Sequence, residues 1–242
     1  MTAAGRPAEP EVIWARPQRA GRGPRPAHSR DSIASEAVRI ADAEGIEAVS
    51  MRRVAAGIGA GTMSLYNYVP RKEDLYELMV DAVSGEYDLS PPSGRWRDDL
   101  LSLARQTRAL MRRHPWLPRL LSPVYGFGPN ALRYLEHSLA CLEPLEASGA
   151  EKLELIASVN GTVATFVAGE LALAERARSL PWSEAAEEGV RAAWLGSRLA
   201  TGEYPRLTAA LTEGTPVTAA GTDMTDVFDR AVSRLLAGWP SP

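Results

Sequence analysis

Cys141 is the single cysteine in the 242 residues, so neither an internal disulfide nor a multi-cysteine metal site can form. That usage fits a reducing compartment, and the cytoplasm is the expected location. Histidine is almost as sparse: His28, His114 and His137 are scattered, with no acidic residue at a ligand spacing. Neither a nucleophile elbow nor a phosphate loop is present, so no catalytic residue, cofactor or metal ion is assigned and an enzyme is not expected. Met1 to Glu11 lacks the apolar core of a secretion signal. The longest weakly charged run, Leu155 to Ala174, contains Asn160, Thr162, Thr165 and Glu170, each costly in lipid. It is read as a buried helix, with no membrane partner. A strand pattern of period two is missing as well, which makes the expected fold class all-α.

Bulk positive charge is also absent. The formal net charge of −3 excludes polyanion binding by the surface as a whole. A local excess exists instead: Arg16, Arg19, Arg22, Arg25 and Arg30 follow Val12 with no acid before Asp31. Residues 1–28 are rich in Pro, Gly, Ala and Arg without apolar periodicity, and read as a disordered basic arm whose Arg22 and Arg25 would meet phosphate or the minor groove.

The strongest pattern lies at residues 50–72, SMRRVAAGIGAGTMSLYNYVPRK, which has the spacing of a helix-turn-helix. Val54, Ile58, Ala60, Leu65 and Tyr68 supply the apolar positions. Ala55 permits a close helix crossing, and Gly59 suits a turn residue with φ above zero. A second helix of about two turns then presents Thr62, Met63, Tyr66 and Asn67, with Leu65 and Tyr68 inward and Ser64 on the boundary. Asn can bond an adenine edge, Thr and Met can touch a thymine methyl, and a Tyr hydroxyl reaches phosphate.

Around this pair, Ser29 caps a helix carrying Ile33, Ala37, Ile40 and Ala41 that exits at Gly45, and Ser50 caps the next. Pro70 stops the reader helix, and a further helix from Lys72 carries Leu75, Leu78, Met79, Ala82 and Val83. Pro91 and Pro92 within Asp88–Gly94 mark a break. Beyond it, helices are predicted near 95–113, 117–122, 129–147, 150–178, 183–201, 204–212 and 223–238, with a loop over 213–221. Gly161, Ala164 and Ala168 would let a second helix approach, and Val227, Ala231, Val232 and Leu235 offer another stripe, so these are candidate homodimer contacts. Trp116, Tyr125, Phe127, Tyr134, Phe166, Trp182 and Trp194 supply aromatic material for an apolar pocket, with Asn160, Thr165 and Glu170 as polar orienters.

The order helix, helix-turn-helix, linking helix over residues 29–84 resembles the tetracycline-repressor (TetR) family of bacterial transcription regulators. The resemblance rests on ADAEG at 41–45, SMRRVAAGIG at 50–59 and TMSLYNYVPRKEDL at 62–75. The body is similar to the tetracycline-repressor C-terminal subfamily through RWRDDL at 95–100, RRHPWL at 112–117 and SVNGTVATFVAGELA at 158–172. It implies a reading head over 29–88 and a larger helical ligand-binding and dimerisation body over 95–240. It further implies a homodimeric repressor on a pseudo-palindromic operator in duplex DNA, released by a small apolar or amphipathic molecule. DNA contacts carried over are Arg52, Thr62, Met63, Ser64, Tyr66, Asn67 and Tyr68, with Lys72 gripping phosphate. Two departures stand out. Arg71 replaces a small capping residue, and Leu121–Gly128 has no His to serve as the ligand of a magnesium-tetracycline effector. The alternative reading is a helical small-molecule-binding protein or enzyme whose head is a protein-interaction module, and salt-sensitive binding to duplex DNA separates the two.

Overall fold

The computed structural model describes residues 12–16, 28–120, 127–213 and 224–239, and among them the chain is all-helical, with no strand. The head consists of α1 (Arg30–Glu44), α2 (Met51–Gly57), α3 (Thr62–Leu65) and α4 (Lys72–Ser84). The body consists of α5 (Trp96–Arg113), α6 (Leu117–Leu120), α7 (Pro129–Cys141), α8 (Gly149–Ser179), α9 (Glu184–Leu199), α10 (Pro205–Glu213) and α11 (Met224–Ala237).

Local chemistry sets the head's boundaries. The Ser29 hydroxyl accepts from Ser32 N at 3.1 Å, satisfying one of the amides that the first turn of α1 leaves open. α1 ends at Gly45, whose φ of 85° a residue with a Cβ adopts only under strain. Ile33, Ala37 and Ile40 recur at helical spacing and pack, fully buried, against Leu75 and Met79 of α4 and Val54 of α2. A packed segment also precedes Ser29. Val12–Arg16 forms a short turn whose Ile13 side chain is buried in the head core, while Arg30 donates from Nη1 to Arg16 O at 3.1 Å. The expected arm over 1–28 is therefore anchored in part, because one isolated Ile suffices to seat a turn without any periodicity to announce it. Arg19, Arg22 and Arg25 lie outside the described residues.

The break at Asp88–Gly94 is irregular backbone, closed by Asp88 accepting from Ser90 N at 3.1 Å and by Gly94 at φ 82°. In the body, α5 packs on α8 and α11, and α7 bridges α4, α5 and α8. Their shared core includes Leu100, Leu103, Val159, Val163, Phe228, Val232 and Leu236. α7 stops at Cys141, short of the predicted 147, as the chain runs into Pro144. Most of the predicted loop over 213–221 lies outside the described residues.

α8 is long and apolar enough to cross a membrane by length and composition. Within the single chain it is buried along one side. Leu155, Ile156, Val159, Val163 and Val167 face the core, whereas Gly161, Thr165, Ala168 and Ala172 are exposed.

Candidate nucleic-acid interface and body cavity

The turn between α2 and α3 is built as its residues require. Ser50 Oγ accepts from Arg53 N at 3.3 Å, Gly59 takes φ 70°, and Ala60 N donates to Ala55 O at 2.8 Å. Val54, Ala55 and Leu65 are buried, so the crossing is close and dry. α3 covers only Thr62–Leu65 instead of two turns. Its continuation tightens, with Asn67 N donating to Ser64 O at 3.1 Å and Tyr68 N to Leu65 O at 2.9 Å, because Pro70 disfavours a helical conformation at Val69. Val69 occupies the deep position expected for Tyr68, which is half-buried. The spacing of four from Leu65 was the available signal for Val69.

What remains outside is a coherent face. Met63 is 80% exposed and Tyr66 43%, Ser64 and Asn67 are exposed, and Thr62 is half-buried at the helix start. On α2, Arg53 is held by Glu44 through Nη1 at 2.8 Å, while Arg52 points outward. Lys72 is exposed at the start of α4, with Nζ 5.3 Å from the Tyr76 ring centroid, and a hydrogen bond with Tyr76 holds its ammonium above the usual pKa. Arg71 does not spoil this start. The Asp74 carboxylate accepts from Arg71 N and Nε, each at 3.1 Å, so an acid at the third helical position ties down the residue that precedes the helix and places negative charge in its first turn.

The body holds a cavity of about 160 Å³ walled by Val80, Val83 and Ser84 of α4, Thr107 and Met111 of α5, Tyr134 of α7 and Asn160 of α8. Tyr87, just after α4, packs against Tyr134 in its wall, the ring centroids 4.4 Å apart and inclined by 33°. The hydroxyls gather at the polar end: Tyr87 Oη lies 2.8 Å from Thr107 Oγ1, and Tyr134 Oη donates to Asn160 Oδ1 at 2.8 Å. Burial pushes both phenols above the usual pKa. Asp81 fixes the α4–α7 side of the cavity by accepting from Asn130 N at 2.8 Å and Ala131 N at 3.0 Å, and burial nonetheless holds its carboxyl above the usual range.

Of the aromatic and polar candidates among the described residues, the structure brings Tyr134 and Asn160 to this cavity and places the others elsewhere. Trp116 is buried beside the head, donating from Nε1 to Asp42 at 2.7 Å. Phe127, Trp182 and Trp194 are 65%, 55% and 65% exposed, and Thr165 is exposed. Phe166 packs edge-on against Phe228 at 5.2 Å, and Glu170 pairs with Arg108, whose guanidinium lies 4.9 Å from the Phe228 ring centroid. Tyr125 lies outside the described residues. Tyr87, Thr107 and Met111 went unanticipated, since no spacing rule links residues on separate helices to one cavity. The candidate dimer residues divide similarly: Gly161 and Ala168 are exposed and Ala164 half-buried, while Val227, Ala231 and Leu235 are half-buried beside the deep stripe of Phe228, Val232 and Leu236. Among the described residues no group of histidine, cysteine and acids could hold a metal ion, and burial lifts the Cys141 thiol to about 11.

Residues 33–79 match the model of the bacterial regulatory proteins of the tetR family, and residues 90–240 match that of the tetracyclin repressor-like C-terminal domain. The chain is 38% identical over 230 residues to the HTH-type transcriptional repressor DrrR1 of Streptomyces coeruleorubidus, covering 94% of this chain and 83% of that protein. It is 34% identical over 231 residues to an HTH-type transcriptional regulator of Saccharopolyspora erythraea, covering 95% and 91%. Among solved structures it is similar to the Streptomyces coelicolor protein ActR in complex with actinorhodin, at 25% identity and a TM-score of 0.68, covering 87% of this chain and 96% of that one.

Proposed function

We propose that this chain, which belongs to the tetR family of bacterial regulatory proteins and is a DNA-binding transcriptional regulator, acts as a homodimeric repressor that a small molecule releases from a pseudo-palindromic operator. The observation that carries the reading is the place of α4. One stretch of it, Leu75–Met79, packs in the core beneath the reading face, and the next, Val80–Ser84, walls the cavity. Whatever widens the cavity displaces the element on which the reader is mounted. Thr62, Met63, Ser64, Tyr66, Asn67 and Tyr68 read the major groove, Arg52 and Lys72 hold phosphate, and the arm with Arg22 and Arg25 adds sequence-independent affinity. The stripe of exposed Gly161 and Ala168 and half-buried Ala164 on α8, with Val227, Ala231 and Leu235 of α11 beside it, packs against its symmetry mate. The protein works in the cytoplasm and carries out no catalysis.

The effector is a planar aromatic molecule bearing a hydroxyl or carbonyl oxygen. Two tyrosine rings and apolar walls suit the flat body, and Asn160 with the Tyr87 and Tyr134 hydroxyls suits the oxygen. At about 160 Å³ the cavity is smaller than the roughly 300–1,000 Å³ usual for drug-sized ligands, so entry of a larger ligand parts the two rings and shifts α4 against α7. Actinorhodin, held by ActR, is the first probe to try. The reading is tested by selecting random duplexes on the full chain and then measuring actinorhodin or alizarin affinity with and without the selected operator. Recovery of a symmetric motif and weaker ligand binding on DNA, by about 5- to 150-fold, is expected. Selection of no symmetric motif overturns the operator, and equal ligand affinities overturn release through the cavity.

A further inference from the structure

Immediately after α5 the chain places two buried side chains against the head. Trp116 donates from Nε1 to Asp42 Oδ1 at 2.7 Å, and His114 Nδ1 lies 2.8 Å from the same oxygen. Both rings are almost wholly buried, at 2% and 3% exposure, and Asp42 sits in the last turn of α1. On its far side His114 Nε2 lies 3.2 Å from Glu86 Oε1, and Arg113 Nη1 donates to Glu86 Oε2 at 2.5 Å. Residues 113–116 thus bind the end of α1 and the segment following α4 to each other. Filling this space needs no nitrogen donors. A Trp and a His whose ring nitrogens converge on one carboxylate oxygen make a directional contact, and each N–H loses a charged acceptor if Asp42 moves away.

Geometry gives this contact a task. The head continues into the body through α4, and attachment along one helix resists turning about that helix least. Asp42 is on α1, to the side of α4, so holding it removes that rotation. We propose that His114 and Trp116 clamp Asp42 to fix the angle of the reading head on the body, and so decide which half-site spacing the two heads of the dimer accept. The proposal rests on the homodimeric operator-binding reading. The three side chains belong neither to the exposed face of α3 nor to the cavity wall, and are positioning residues.

The experiment uses the full chain and three duplexes: the operator recovered by selection, the same operator with one base pair inserted between its halves, and a single half-site. Trp116→Phe keeps an aromatic ring and deletes the donor, Asp42→Leu deletes the acceptor, and Asp42→Asn keeps an acceptor oxygen. The parent should prefer the uninterrupted operator by about tenfold or more, the size of a single-site discrimination in duplex recognition. Trp116→Phe and Asp42→Leu should bring that ratio close to unity while half-site affinity stays near that of the parent, with a lowered melting temperature in Asp42→Leu, which leaves two buried donors unpaired, and Asp42→Asn should restore most of the ratio. Retention of the parental ratio by both disruptive variants overturns the clamp. Loss of half-site affinity in Asp42→Leu and Trp116→Phe alike also overturns it, by assigning the contact to the fold of the head. A parent chain that selects no symmetric duplex sinks the dimer reading, and the clamp with it.

Discussion

The head and the α9–α10 hairpin are both assembled from short helices, yet they finish differently. In the head, Ile13, Ile33, Val54, Leu65, Val69, Leu75 and Met79 are all buried to about 1% or below, so the core closes within the chain. In α9 and α10 no described side chain is buried, and Val190, Trp194, Tyr204 and Leu207 are 72%, 65%, 40% and 45% exposed. The head therefore holds its own shape and can offer polar groups on a firm support. The hairpin, with a cavity of about 470 Å³ among Trp194, Arg198, Tyr204 and Leu207, lacks such a core of its own.

The largest expected effect lies in the head. Leu65→Ala should cost about 2–5 kcal/mol, read as a drop in melting temperature that takes with it the cavity wall contributed by α4. An unchanged melting temperature would show that Leu65 does not close the head core. Gly59→Ala comes next: φ 70° with no atom near the new methyl makes the penalty one of backbone strain, about 1–2 kcal/mol by denaturant unfolding. Trp194→Ser should change stability by less than about 0.5 kcal/mol, as an exposed site does. A larger loss that depends on protein concentration would sharpen the comparison, by showing that a second copy covers the hairpin. Asn67→Ala should leave the melting temperature nearly unchanged and weaken operator binding, and undiminished affinity would remove Asn67 from the reading face.

The head was legible wherever the cause was local. Ser29 and Ser50 as caps, Gly59 in the turn and Ala55 at the crossing follow from backbone needs within four or five residues, and the structure has each in place. Val69 was passed over because Tyr68 competes for the same inward position, and only the packed head shows which side chain goes deep. Ile13 was hidden in an arginine- and proline-rich stretch that periodicity describes as featureless. In the body the helices were legible and the cavity was not. Tyr87 and Tyr134 meet across 47 positions of sequence, whereas Trp116, one residue before the cavity-lining Leu117, turns the other way to Asp42. Aromatic composition establishes that a cavity can be built, and packing alone establishes from which rings.

α4 has no glycine or proline from Lys72 to Ser84, and at 1.5 Å per residue its length is about 20 Å. Because Leu75, Leu78 and Met79 are bedded in the head while Val80 and Val83 begin the cavity wall, no free span is left between its two attachments. Mechanically it is a stiff shaft without a joint. On the proposed reading, a shift of about 1 Å at the cavity end, taken over that length, tilts α4 by about 3°. The weak point of such a transmission is its stiffness itself: softening the shaft near Val80 would disconnect sensor from reader while leaving both intact.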